Sequence, residues 1–415
     1  MKILYLSYAC EPGAGSEYGV GWMMPLTMAK KYPEHDVHVL TRSRCKEKIQ
    51  DSLDTLRMDN LHYHFYDIPK ALFYKNEMTS KWGEQINYIL WQLLVRKTVK
   101  RIVAQEGIDI VHHLTFNQYR TPSPGFWLKE TPFVMGPIGG AETISEVLWQ
   151  DLEDHTITKE RIRAKGRDLK VFKWLCRRSR NKKIILCSSG ENEKRLKPYV
   201  AESTVKTMPA IGYALEDVEI TSQTKKDDKC FEMVYAGKAL DWKGIHLFLR
   251  AVRKAYIENG IVDFHIKLIG IRFKDEQDKV NRWIEELGLQ EYVELIPFIQ
   301  RQELLRIEKN CDLSVYPAFR DSGSMAVLET CALGCATLCL DAGGQDIFPD
   351  EILIKVKVQP TYEETVECFA EQMKWAYSNR EELRGRGDAA KKWVEQNLTW
   401  ERKAVLMMKL YNEGL

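Results

Sequence analysis

Lys238 and Lys243 stand five residues apart in the stretch Gly237-Lys238-Ala239-Leu240-Asp241-Trp242-Lys243-Gly244, between an apolar run and a helix-length segment. Two ammonium groups on such a loop can converge on a diphosphate, and a helix N-terminus adds its partial positive charge. Two solvated surface lysines are the plainer alternative. A second stretch, Pro317 to Glu329, follows another apolar run. Its small residues Ser322, Gly323 and Ser324, with Met325 after them, let a ligand approach backbone N–H groups at a helix start. Asp321 and Glu329 are separated by about two helical turns, one carboxylate at the helix mouth and one inside. A glutamate beside Leu328 and Cys331 in an apolar helix is costly to bury without a hydrogen-bonding partner. A pair of ribose hydroxyls would satisfy it, and so would an ordinary salt bridge.

The first half offers three further stretches. Glu11-Pro12-Gly13-Ala14-Gly15-Ser16-Glu17 follows the first apolar run, and its glycines permit close approach to a ligand at a helix start or simply make a tight turn. His112 and His113 end a strand-like run, where a histidine is either structural or a site residue. Gly136-Pro137-Ile138-Gly139-Gly140-Ala141-Glu142 follows another strand-like run, and no role is assigned to it. Cys331, Cys335 and Cys339 have regular spacing but fall on a helix and a strand, so they do not share one face and are read as buried thiols, not a metal site.

These residues must be held by elements, and the elements alternate. Strand-like runs at 2–8, 37–41, 62–67, 108–114, 132–135 and 184–188 are separated by helix-length segments such as 17–32 and 81–103. The pattern restarts after the polar stretch 221–229 with runs at 231–236, 264–269, 293–297, 313–316 and 336–340, and helices at 362–377, 380–396 and 400–411 close the chain. Such alternation is that of parallel βαβ units, whose ligands sit beyond the carboxyl ends of the strands. The expected fold is α/β, with two doubly wound Rossmann-like domains facing across a cleft. The expected divisions are 1–220, 229–395 and a terminal segment 396–415 packing back on the first domain.

The stretch 235–344 resembles the nucleotide-sugar-binding domain of family-4 glycosyltransferases, which have the fold called GT-B. The resemblance rests on Gly237-Lys238, Lys243-Gly244, Asp321 with seven residues before Glu329, and Gly343-Gly344. It departs from the family at Lys238, where arginine is usual, and at Asp321, where glutamate is usual. By resemblance, His112, Lys238, Lys243 and Asp321 are the catalytic candidates, and Gly15, Gly237, Ser322, Gly323, Ser324, Met325 and Glu329 bind the donor. The resemblance also implies a nucleotide diphosphate sugar as co-substrate, retention of anomeric configuration, no other cofactor, and a setting in polysaccharide or lipopolysaccharide assembly. The sequence contains no Asp-X-Asp, so no metal is expected, and the leaving diphosphate is met by the lysines and backbone N–H groups. An epimerase, a phosphorylase and a non-catalytic scaffold are the rival readings.

Composition sets the limits. The chain has 415 residues, 44% apolar and 29% charged, with a net charge of +2, which gives no global attraction to nucleic acid or membrane. No run has the roughly 18 apolar residues of a membrane span, and Glu11-Pro12-Gly13 arrives too early for a secretory leader, so a cytoplasmic protein is expected. Locally, 159–183 contains twelve Lys or Arg interleaved with Leu169, Val171, Phe172, Trp174 and Leu175. That pattern suits an anionic membrane surface, where a glycan or lipid-linked acceptor would be met, in preference to nucleic acid; a solvated helical face is the alternative.

Overall fold

The computed structural model describes residues 1–73, 83–116, 118–200, 205–214, 230–323 and 325–414. The polar stretch 221–229 and Ser324 lie outside the described residues. Two compact units are present: Met1–Ala141 with Gly166–Gly212 and Trp400–Leu415, and Glu142–Lys165 with Tyr213–Thr399.

The first unit is built on seven parallel strands, β1 (Lys2–Leu6), β2 (Asp36–Thr41), β3 (Leu61–Phe65), β4 (Ile110–His113), β5 (Phe133–Ile138), β6 (Lys183–Cys187) and β7 (Val205–Thr207), in the order β3-β2-β1-β4-β5-β6-β7. The second has six, β8 (Phe231–Ala236), β9 (Phe264–Ile269), β10 (Val293–Ile296), β11 (Leu313–Tyr316), β12 (Ala336–Leu340) and β13 (Leu353–Val356), ordered β10-β9-β8-β11-β12-β13. Parallel strands covered on both faces read as continuous apolar runs, and the central ones, such as LSVY of β11 and ATLCL of β12, are buried at every position. The short β7 and β13 escaped the sequence reading. The expected helix 81–103 is two helices among the described residues, Gly83–Leu94 and Arg96–Glu106.

The segment Glu142–Lys165, counted with the first half on sequence, belongs to the second unit. Ile144, Leu148 and Leu152 lie in one core with Phe231, Phe248 and Leu313. Burying a side chain of this size is worth roughly 1.5–3 kcal/mol, so three of them fasten the segment firmly. At the other end, the helix Trp400–Gly414 clusters with the first unit, burying Ala404, Met407 and Tyr411.

Candidate active site

In the second unit the loops after β8, β11 and β12, three hydrogen-bonded neighbours in order, bring the chemistry together. Lys243 ends a short 3-10 turn, Asp241–Lys243, and Gly244 follows at φ +69. A side chain on Gly244 would strike the Pro317 carbonyl, so only glycine lets the β8 loop lie against the β11 loop. Lys243 Nζ donates to Asp321 Oδ2 and to Tyr316 Oη, each at 2.6 Å, and the Tyr316 hydroxyl also donates to Asp321 Oδ2. Gly323 N donates to Asp321 Oδ1 at 3.1 Å.

Burial pushes the Asp321 carboxyl up, but the Lys243 charge and the hydrogen bonds from Lys243, Tyr316 and Gly323 outweigh it, leaving the pKa below its usual value. The β12 loop holds the same residue from behind. Gly344 N donates to the Asp321 carbonyl at 2.7 Å, and a side chain on Gly343 would collide with the Asp321 backbone. The Gly-Gly pair noticed in the sequence therefore acts on Asp321.

The other donor-site candidates sit around this cluster. Gly237 continues the sheet through its N–H to the Ile269 carbonyl at 2.9 Å, and Lys238 is exposed beside it. Ser322 and Gly323 are partly exposed at the approach to the helix Met325–Leu333, with Met325 at its start. Glu329 Oε1 accepts from Arg301 Nη2 at 2.7 Å and Nε at 3.0 Å, the salt-bridge alternative of the sequence reading.

Sequence reasoning missed three acidic residues here. Glu142, buried to 1% exposure, accepts from Ser322 Oγ at 3.0 Å. Glu160, equally buried, accepts from Arg320 at 2.8 Å and Arg163 at 3.1 Å, and Arg163 also reaches the Glu142 carbonyl. The segment Glu142–Lys165 thus grips the Arg320-Asp321-Ser322 loop. Glu308 is buried behind Glu329, and burial together with the Glu329 charge pushes its carboxyl well above the usual range. Gly139-Gly140-Ala141-Glu142 was the one signal available for the first of these.

In the first unit, Gly15 caps the helix Ser16–Lys31, and Glu17 Oε2 accepts from Phe116 N at 3.0 Å. His112 requires a correction. It is fully buried, with Nδ1 2.6 Å from the Tyr411 hydroxyl and Nε2 donating to the Gly136 carbonyl at 2.8 Å. Burial drives its pKa down to about 3, so it is a neutral ring with both nitrogens engaged, and neither nitrogen is left for a substrate. His113 is likewise buried, 3.0 Å from the Thr115 carbonyl.

The basic segment 159–183 also needs correction as a single surface. Its first part lies in the helix Asp154–Ala164 of the second unit, where Arg163 is engaged with Glu160. Its second part includes the helix Lys170–Arg178 of the first unit, which buries Phe172 and Leu175 and leaves Val171 and Trp174 about half exposed, at 49% and 52%. Among the described residues, no group of three or more His, Cys, Asp or Glu is arranged to hold a metal ion, and no helix is long and apolar enough to cross a membrane.

Comparison with known proteins finds similarity at two levels. Residues 217–393 match the model for glycosyl transferases group 1. A search of curated protein sequences finds no relative. Solved structures similar over nearly the whole chain include sucrose-phosphate synthase from Thermosynechococcus elongatus, 16% identical with a TM-score of 0.65, covering 99% of this chain and 98% of that one. WaaG, a glycosyltransferase involved in lipopolysaccharide biosynthesis, is 13% identical with a TM-score of 0.61 over 99% and 100% of the two chains. Anabaena HepE in complex with UDP and glucose is 12% identical with a TM-score of 0.57 over 99% of each. At these identities the likeness establishes the fold, two Rossmann-like domains of the GT-B type. The chain thus has the GT-B fold, and its residues 217–393 are similar to group 1 glycosyl transferases.

Proposed function

We propose that the protein is a retaining, metal-independent glycosyltransferase of family 4 that moves a hexosyl or related sugar from a nucleotide diphosphate donor to a glycan or lipid-linked acceptor. The observation that carries this reading is the convergence of Lys243, Asp321 and Ser322 at the carboxyl ends of β8 and β11, where parallel sheets bind ligands. Lys243 and the exposed Lys238 meet the diphosphate, and the charge developing on it as the glycosidic bond breaks is stabilised by fixed ammonium and N–H groups. Asp321 faces the donor sugar, and Glu329 receives the ribose hydroxyls in place of, or beside, Arg301. UDP and glucose bound to HepE, a neighbour of the same fold, are consistent with a nucleotide-sugar donor.

The acceptor is proposed to be met at the cytoplasmic face of an anionic membrane, in polysaccharide or lipopolysaccharide assembly. Trp174 and Val171, exposed between Lys170, Arg177 and Arg178, support peripheral attachment through the first unit. Donor turnover tests the chemistry. Incubated with a panel of UDP-, GDP- and ADP-sugars, the protein releases nucleoside diphosphate from one class, and the rate is unchanged by EDTA. Loss of turnover in EDTA with rescue by magnesium or manganese would contradict the charge assignment to Lys238 and Lys243.

A further inference from the structure

The second unit holds a side-chain pair that glycosyl transfer does not use. Cys311 immediately precedes Asp312 and β11, Cys335 immediately precedes β12, and these parallel strands pair with Leu313 registered on Ala336. The two sulfurs are 3.1 Å apart. That is closer than the about 3.5–4.0 Å at which even carbon atoms rest in non-bonded contact. Each thiol has a carbonyl to donate to, Glu308 O at 3.1 Å from Cys311 and Ala336 O at 3.4 Å from Cys335, which leaves the sulfurs facing one another. The surroundings are mostly apolar, with Val234 and Ile269 in the same small core, Ile296, Ile299, Leu304 and Ile307 packed against it, and the buried Glu308 carboxyl close enough to act on Cys335. Neighbouring strands run about 4.8 Å apart, a spacing that suits the Cα separation a disulfide needs.

We propose that Cys311 and Cys335 form a dithiol site that a small hydroperoxide closes to a disulfide, locking the segment between them without shutting the donor loops. In the first step one sulfur attacks a peroxide oxygen and the O–O bond breaks. A sulfenic acid forms, and the thiol proton leaves with the displaced hydroxide as water. The second sulfur then attacks the sulfenic sulfur, the S–S bond forms as the S–O bond breaks, and the second hydroxide leaves as water with the second thiol proton. Two electrons pass from the thiols to the peroxide, and one hydrogen peroxide gives one disulfide and two waters.

The ring so closed spans residues 311–335 and contains Asp321, Ser322 and Glu329. The bond lies at the amino ends of β11 and β12, whereas Lys243, Asp321 and Ser322 lie beyond carboxyl ends. Closure therefore restrains the unfolded chain and leaves the loops as they are.

The test treats the full chain with hydrogen peroxide, alkylates it without reduction, and maps the digest by mass spectrometry. The expected product is two hydrogens lighter and yields a peptide pair joined through Cys311 and Cys335. Its melting temperature rises by several degrees, dithiothreitol reverses the gain, and Cys311→Ala shows neither cross-link nor gain. Alkylation of both cysteines after peroxide, or a bond between other partners such as Cys331 and Cys339, overturns the site. A closed form that no longer binds a nucleotide bound by the reduced form overturns the lock. The mass measurement needs no donor and no variant, so it stands whether or not the donor reading does.

Discussion

The central cluster sets two opposing effects on Asp321. Burial disfavours its charge, and Lys243, Tyr316 and Gly323 restore it with a net downward shift. A carboxylate depressed in the folded state contributes stability that is present above the unfolded pKa and is lost as pH falls through the folded one. The same group, if it must be ionised for transfer, sets the acid limb of activity. Tyr316→Phe removes the hydrogen bond that Tyr316 donates to Asp321, worth roughly 1 kcal/mol or about 0.7 of a pH unit, together with the one it accepts from Lys243. We therefore expect the acid limb of kcat/KM to move upward by about half to one unit while the plateau changes by only a few-fold. A pH–rate profile with an unmoved limb would mean that Asp321 is not the ionisation being read. Lys243 keeps one ammonium hydrogen beyond those given to Asp321 and Tyr316, enough for a phosphate oxygen.

At the level of elements, the donor loop depends on a segment that the sequence places far away. Glu160 is the shared acceptor of Arg320 and Arg163, and all three are largely buried, with side-chain exposures of 1%, 12% and 10%. Removing one member of a buried charged set costs about 3–5 kcal/mol, because the partners stay buried without their counter-charge. Glu160→Ala should therefore lower the melting temperature markedly and raise the donor KM through the neighbouring Asp321 loop. Glu142→Ala should raise the donor KM through Ser322 with a smaller loss of stability. Thermal melts and donor titrations on both variants check this, and a Glu160→Ala protein that melts like the parent would show the grip to be ornamental.

Five of the six strands of the second unit, all but β13, were legible to within a residue, because parallel strands leave short, mostly apolar runs. Lys243, Asp321 and Gly343-Gly344 stand out in the sequence through the joint order and spacing that resemble the family motif, each piece being common by itself. The roles of Glu142 and Glu160 were not, since they arise from tertiary contacts with residues 180 and 160 positions away. His112 misled for the same reason. Its match to the resembled family points to a site, and only Tyr411, 299 residues on, and the Gly136 carbonyl engage its ring as a structural one.

For the whole molecule, the chain passes between its two units at four places, after Ala141, Lys165, Gly212 and Thr399. Each unit is thus completed by segments remote in sequence, and the basic run 159–183 is divided between them. The proposed membrane attachment is then assigned to the first unit, through the helix Lys170–Arg178. Anionic vesicles at low salt should sediment the protein, and Trp174→Ala with Arg177→Ala and Arg178→Ala should leave it in the supernatant while donor turnover is kept. Sedimentation unaffected by that triple change would move the contact elsewhere.

The proposed function requires the second unit to bind a nucleotide diphosphate sugar through the β8 and β11 loops. Saturation-transfer NMR against UDP, GDP, ADP and their sugar conjugates tests it most directly, run on the parent and on Glu329→Ala. Transfer to one nucleotide class is expected, with affinity weakened at least tenfold by Glu329→Ala. Absence of transfer to every nucleotide, or binding indifferent to Glu329→Ala, would contradict it.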